Sequence, residues 1–146
     1  MKKRFVLFLM ILCVLIFSAC GNGITPQTLE GVKKVLVDRG IYDENNAYNN
    51  SDVEGECLAV LCNNKWTVSF TKYKTVQSCK DEYSFGALLL EEPEERKASN
   101  YAIVEGKLLE DRYQLIIQVD ATLLVIAGPD TDKEDLRELA KEMGYY

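Results

Sequence analysis

The pair Asn63-Asn64 constrains this chain most, because it separates two runs of strand-forming residues, 56–62 and 65–72. A two-residue turn there fixes which side chains share a face of the hairpin. Under that turn Cys62 pairs with Lys65, Leu61 with Trp66, Ala59 with Val68 and Cys57 with Phe70. One face then holds Cys57, Ala59, Leu61, Trp66, Val68 and Phe70, and reads as core. The opposite face holds Leu58, Val60, Cys62, Lys65, Thr67, Ser69 and Thr71, and turns polar along the second strand, as in an antiparallel sheet open to water on one side.

The other elements follow from period and punctuation. Thr25-Pro26 is a capping pair that opens a helix over 26–39, with Leu29, Val32 and Leu36 on one stripe and Gly40 closing it. Residues 41–55 are polar, Asn-rich and aperiodic, so they read as a surface loop; they lack the alternating Asp/Asn spacing with a central Gly that a calcium loop needs. Val76, Cys79, Tyr83, Ala87 and Leu90 step by three and four, which predicts a helix over 75–91 despite the run Leu88-Leu89-Leu90. The stretch EEPEERKASN is a charged connection. Strands are expected at 101–105, 107–109, 113–119 and 122–127. A turn at Asp120-Ala121 puts Leu115, Ile117 and Val119 on one face with Thr122, Leu124 and Ile126. The other face of that hairpin, with Ile116, Leu123 and Val125, is also apolar; it lies either under a helix or on an exposed interaction surface for another protein or a second copy. Thr131-x-x-Glu134 is a capping box for a last helix carrying Leu136, Leu139, Ala140 and Met143, closed by Gly144 with Tyr145 folding back. The order α-β-β-α-β-β-β-α implies an α+β fold, a largely antiparallel sheet of about five strands with helices packed on one side.

Lys2, Lys3 and Arg4 precede an unbroken apolar run over 5–17, which is followed by Ser18-Ala19-Cys20-Gly21. That run makes about 20 Å of helix against the roughly 30 Å hydrocarbon layer, so a secretory segment fits better than a permanent span. The stretch FSAC closely resembles the lipobox of bacterial prolipoproteins, with Phe17 where that family favours an aliphatic residue. The resemblance implies a signal peptide over 1–19, a diacylglyceryl thioether on Cys20, a lipid-anchored linker over 20–24 and a single α+β domain over 25–146 on the extracytoplasmic face of the cell membrane. The closing pattern QVDATLLV, followed by a short helix and a terminal Gly-Tyr, resembles small lipoproteins of Gram-positive anaerobes, a likeness that carries over no catalytic residue.

Removing Lys2, Lys3 and Arg4 with the signal peptide leaves 14 basic against 23 acidic side chains, a net charge of −9. Such a domain is repelled by nucleic acid and by anionic headgroups, so the expected membrane partner is the bilayer itself through acylated Cys20. The chain contains no histidine, which excludes Ser/His/Asp triads, Cys/His pairs and HExxH zinc sites. Glu105, Glu110, Asp111 and Asp120 are the carboxylates nearest strand ends, and none stands out from a solvated turn residue. No CxxC motif or glycine-rich phosphate loop is present, and no cofactor or metal is expected; Cys57 and Cys62 face opposite ways on a regular strand. A non-catalytic binding or interaction module is therefore the stronger expectation, with a small envelope enzyme using carboxylates or a cysteine as the alternative. Trp66, Tyr73, Tyr83, Tyr101 and Tyr113 fit sheet packing better than a recognition patch. In an oxidising compartment a Cys57–Cys79 disulfide is expected from the shared core face, with two reduced buried thiols as the other outcome.

Overall fold

The computed structural model describes residues 23–51, 55–109 and 111–146. The expected lipidation site Cys20 and the signal peptide expected over 1–19 lie outside them, as does Glu110. Helix α1 (Leu29–Asp38) starts three residues later than the Thr25-Pro26 pair suggests, because Thr28 takes the cap: its hydroxyl accepts from the Gly31 N–H at 3.1 Å. At its end Gly40 sits at φ 67° while the Gly40 and Ile41 N–H groups donate back to the Val37 and Leu36 carbonyls. Thr28→Ala should cost about 1 kcal/mol and Thr25→Ala should stay within about 0.5 kcal/mol, checked by urea denaturation midpoints. Equal costs would restore Thr25 as the cap.

A short 3-10 turn (Glu44–Asn46) leads into β1 (Ala47–Ser51), then β2 (Gly55–Cys62) and β3 (Trp66–Tyr73) complete one meander. Helix α2 (Val76–Leu88), capped by the Thr75 side chain, crosses the sheet. It delivers the chain to a second meander of β4 (Glu91–Lys97), β5 (Tyr101–Leu109), β6 (Arg112–Val119) and β7 (Thr122–Pro129). After a 3-10 turn (Asp130–Asp132), helix α3 (Lys133–Glu142) ends the fold. All seven strands form one antiparallel sheet in the order β1-β2-β3-β7-β6-β5-β4.

The α+β class with helices on an antiparallel sheet holds, but the sheet has seven strands rather than five. The two additional strands are the edges. β1 lies in the polar 41–55 stretch and β4, exposed along its length, in the charged connection; an edge strand with little or no buried face needs no apolar period. The segments expected at 101–105 and 107–109 are one strand, β5.

Helices cover both sides of the sheet rather than one. On one side, Val32 and Leu36 of α1 and Leu136, Leu139 and Ala140 of α3 pack with Leu58, Val60, Val68, Phe70, Leu115, Ile117, Leu124 and Ile126. On the other, Cys79 and Tyr83 of α2 pack with Ala102, Val104, Ile116 and Leu123. The central strands are buried on both faces, which explains their nearly continuous apolar sequence.

The β6–β7 hairpin has the expected register, with Val119 opposite Thr122 and Ile117 opposite Leu124. The β2–β3 hairpin does not. Asn63 and Asn64 both adopt left-handed backbone, and the Lys65 N–H closes on the Cys62 carbonyl at 3.1 Å. Lys65 is thus an extra loop residue, and Cys62 pairs with Trp66, Val60 with Val68 and Leu58 with Phe70. The one-residue difference turns β2 over, so Leu58, Val60 and Cys62 enter the larger core.

The Thr131-x-x-Glu134 capping box does not form. Thr131 lies in the 3-10 turn, and the Asp132 carboxylate at the helix start accepts instead from Trp66 Nε1 at 2.6 Å and Lys65 Nζ at 2.7 Å, tying α3 to the β2–β3 loop. The other end closes as expected: Gly144 has φ 82°, Tyr145 N–H donates to the Ala140 carbonyl, and the Tyr145 ring is buried.

Candidate functional site

The residues expected to form an outward interaction face are internal. Ile116 and Leu123 are buried and Val125 is half-buried, all beneath α2. Ile116 lies so close that a Cβ added to Gly86 of the helix would stand 2.8 Å from its Cδ1. The apolar density of that hairpin face is accounted for by the chain's own helix, and this corrects the expectation of a docking surface there.

The thiols are also resolved. Cys57, Cys62 and Cys79 are all free, so no Cys57–Cys79 bridge is formed. Cys57 sits opposite Thr71, whose hydroxyl donates to its Sγ at 3.5 Å. Cys79 is buried under α2, where burial pushes its thiol up to about 12, and burial pushes Cys62 up to about 11. Both buried thiols stay protonated at neutral pH and make poor nucleophiles.

One groove, of about 300 Å³, lies between α2 and the β4–β5 turn; a wider hollow of about 570 Å³ lies between the start of α1 and the β1–β2–β3 edge, beside Glu30, Lys33, Glu56 and Lys72. One wall is the exposed flank of α2, where Lys80 and Ser84 stand beside the buried Tyr83. The turn over 97–101 forms the other wall, and Gln118 and Asp120 of the β6–β7 hairpin close its end. The lining is tied down by hydrogen bonds. Tyr83 donates its hydroxyl proton to Glu95 Oε1 at 2.9 Å, and Lys97 Nζ lies 2.8 Å from the same oxygen. The Lys97 ammonium holds the Glu95 carboxyl below its ordinary value, while burial and the Glu95 carboxylate push the Tyr83 hydroxyl up, so Tyr83 remains a donor. Gln118 Nε2 donates to the Asp120 carbonyl at 2.6 Å, and Asp120 N–H donates to the Asn100 carbonyl at 2.9 Å. Asn100 Nδ2 donates to the Ile24 carbonyl at 2.8 Å, and its buried Oδ1 has no partner. Lys80 makes no ion pair with the described residues. The groove thus presents one ammonium without an ion pair among the described residues, beside hydroxyl and amide groups.

A second polar cluster is closed rather than concave. Glu105 of β5 is buried against α3, where Oε2 accepts from Arg137 Nε at 2.7 Å and from the Tyr113 hydroxyl. Burial pushes the Glu105 carboxyl up, but the bonds from Arg137 and Tyr113 outweigh it and leave it below its ordinary value. A carboxylate held ionised and covered by its own partners clamps helix to sheet; a general acid needs the reverse environment. Of the other carboxylates near strand ends, Asp120 borders the groove, while Asp111 accepts the Asp130 N–H through its backbone carbonyl. No group of three Cys, Asp or Glu among the described residues is arranged to hold a metal ion.

The groove escaped the sequence because α2, the β4–β5 turn and the β6–β7 hairpin each contribute a few polar side chains with no local motif. No family model matches the chain, and no curated protein matches it. Its fold is similar to a crystal structure of a GTP binding regulator from Thermotoga maritima, with TM-score 0.48 and 9% identity over 80% of this chain and 87% of that one, a likeness that transfers neither residues nor ligand.

Proposed function

We propose that the chain is a cell-envelope lipoprotein, held to the extracytoplasmic face of the cell membrane by acylated Cys20 and carrying over 25–146 a small non-catalytic binding module. The observation that carries this reading is where the chain joins the fold. Ile24 packs on the larger core and is fixed by Asn100, and a Cβ added to Gly23 would stand 3.0 Å from Asn100 Oδ1. Three residue steps from Cys20 to Gly23 span at most about 10 Å. An acyl-anchored Cys20 therefore brings the end bearing the β4–β5 turn, the β6–β7 turn and the start of α2 against the bilayer. The groove opens at that end. Protonated buried thiols and a clamped Glu105 favour binding over catalysis in this reading.

The test is intact-mass analysis of the membrane fraction. The native chain should begin at a diacylated Cys20, and Cys20→Ser should retain residues 1–19 and carry no lipid. An unmodified native chain beginning at Met1 overturns the proposal.

A further inference from the structure

Three large apolar side chains on α2 and just beyond it face water: Phe85 is 62% exposed, Leu88 82% and Leu89 51%. Their spacing of three and four residues puts them on one side of the last turn, opposite the buried Cys79–Tyr83 side. Scattered exposed leucines need no explanation, but three adjacent ones on one helical turn make a contiguous patch. Its border is acidic. Glu82 precedes Phe85 by three residues, Glu91 and Glu92 follow Leu90, and none of these carboxylates makes an ion pair among the described residues. Lys107 is the basic residue set across the strand pair from Glu91.

The patch also lies away from the anchor. Val76 at the start of α2 lines the groove with Asn100, whereas Leu88 is twelve residues further on, about 18 Å along the helix axis. Leu90, just past the patch, packs beside Gly106 near the opposite end of β5. With Cys20 in the bilayer, the patch points outward, and its acidic border disfavours anionic lipid in any orientation.

We infer that the C-terminal turn of α2 is a docking surface for another envelope protein, through a segment whose apolar side chains cover Phe85, Leu88 and Leu89 and whose flanking Lys or Arg residues face Glu82, Glu91 and Glu92. This rests on the anchored-module reading and names its partner class. Apolar contact supplies affinity, and the charge border selects the partner and speeds its encounter.

The test places a photoreactive leucine analogue at position 88 of the full-length chain in its native membranes, with the same analogue at position 37 on exposed Val37 and at position 80 in the groove. The expected product at position 88 maps to a segment with an apolar stripe bordered by Lys or Arg. Glu91→Lys with Glu92→Lys should lower its yield at least tenfold, and Phe85→Ser should do the same without shifting the thermal melt. Cross-linking at 88 to lipid, to a second copy, or to a segment without basic flanks overturns the inference, as does insensitivity to the charge reversal. Products at 80 with none at 88 overturn it while leaving the binding-module reading in place; silence at all three positions counts against both.

Discussion

Ile116→Lys should leave the chain largely unfolded at 25 °C. Ile116 is 1% exposed, on the β6 face that α2 covers, among Cys79, Tyr83, Val104 and Leu123. The α2 backbone at Gly86 packs directly against the Ile116 side chain, so a lysine stem there starts beneath the helix. The change forfeits about 1.5–3 kcal/mol of burial and forces an ammonium either to stay charged without a partner or to lose its proton, at several kcal/mol more. A chain of this size has a total stability of about 5–15 kcal/mol, so this one residue removes most of it. Val125→Lys, half-buried at the same face, should cost clearly less. Circular dichroism and urea denaturation of both variants decide the matter. A folded Ile116→Lys protein with native α2 content would show that the hairpin face is open to solvent after all.

The same hairpin shows where the sequence was legible. Asp120-Ala121 is a true two-residue turn, with Asp120 at φ 48°, and strands of strongly apolar residues on either side left one register available. The β2–β3 turn differs by one residue from the expected one because Asn63 and Asn64 suit a two-residue turn chemically, and nothing in Lys65 marks it as inserted. Alternation gave no correction: Cys57, Ala59 and Leu61 are nearly as apolar as Leu58, Val60 and Cys62, so either face of β2 passes for core. Cys57 and Cys79 do face the same side of the sheet, but it is the α2 side and not the side of Trp66 and Phe70.

The edge strands and the candidate surfaces were illegible for a shared reason. β4 is exposed throughout, carries Pro93 beside a bulge, and has six charged residues of seven, a composition that guards an edge against pairing with other chains. Such a strand exists because β5 templates it; its side chains are exposed, and the few contacts they make, Glu95 with the Tyr83 hydroxyl and Arg96 over the Tyr146 ring, leave no apolar period. The groove is likewise a product of topology, since Lys80 and Asn100 meet only because α2 crosses the sheet to reach β4. On α2 itself the inward stripe was legible, since steps of three and four single out Leu90 from the run Leu88-Leu89-Leu90, and Leu90 is the buried one of the three.

The clamp between α3 and β5 should set the stability of the chain in acid. Arg137 Nε holds buried Glu105 at 2.7 Å, and its Nη1 reaches Glu134 at 2.7 Å on the surface. Arg137→Met should cost about 3 kcal/mol at pH 7, mainly because it strands a carboxylate that is 6% exposed with the Tyr113 hydroxyl as its remaining donor. Replacing the whole set by Glu105→Leu, Tyr113→Phe and Arg137→Met should cost less than that single change, since no buried group is then left without a partner. The pH dependence has a definite sign. The folded-state pKa of Glu105 is lowered, so its contribution is complete above the unfolded value of about 4.3 and is lost as pH falls from there through the folded value. In Arg137→Met, burial without the guanidinium pushes the same carboxyl up, so protonation relieves the variant and its deficit should shrink between neutral pH and about pH 4. Urea denaturation of native, single and triple variants at pH 7 and pH 4 separates these cases. A deficit below about 1 kcal/mol, or one that does not change with pH, would reduce the clamp to a surface ion pair.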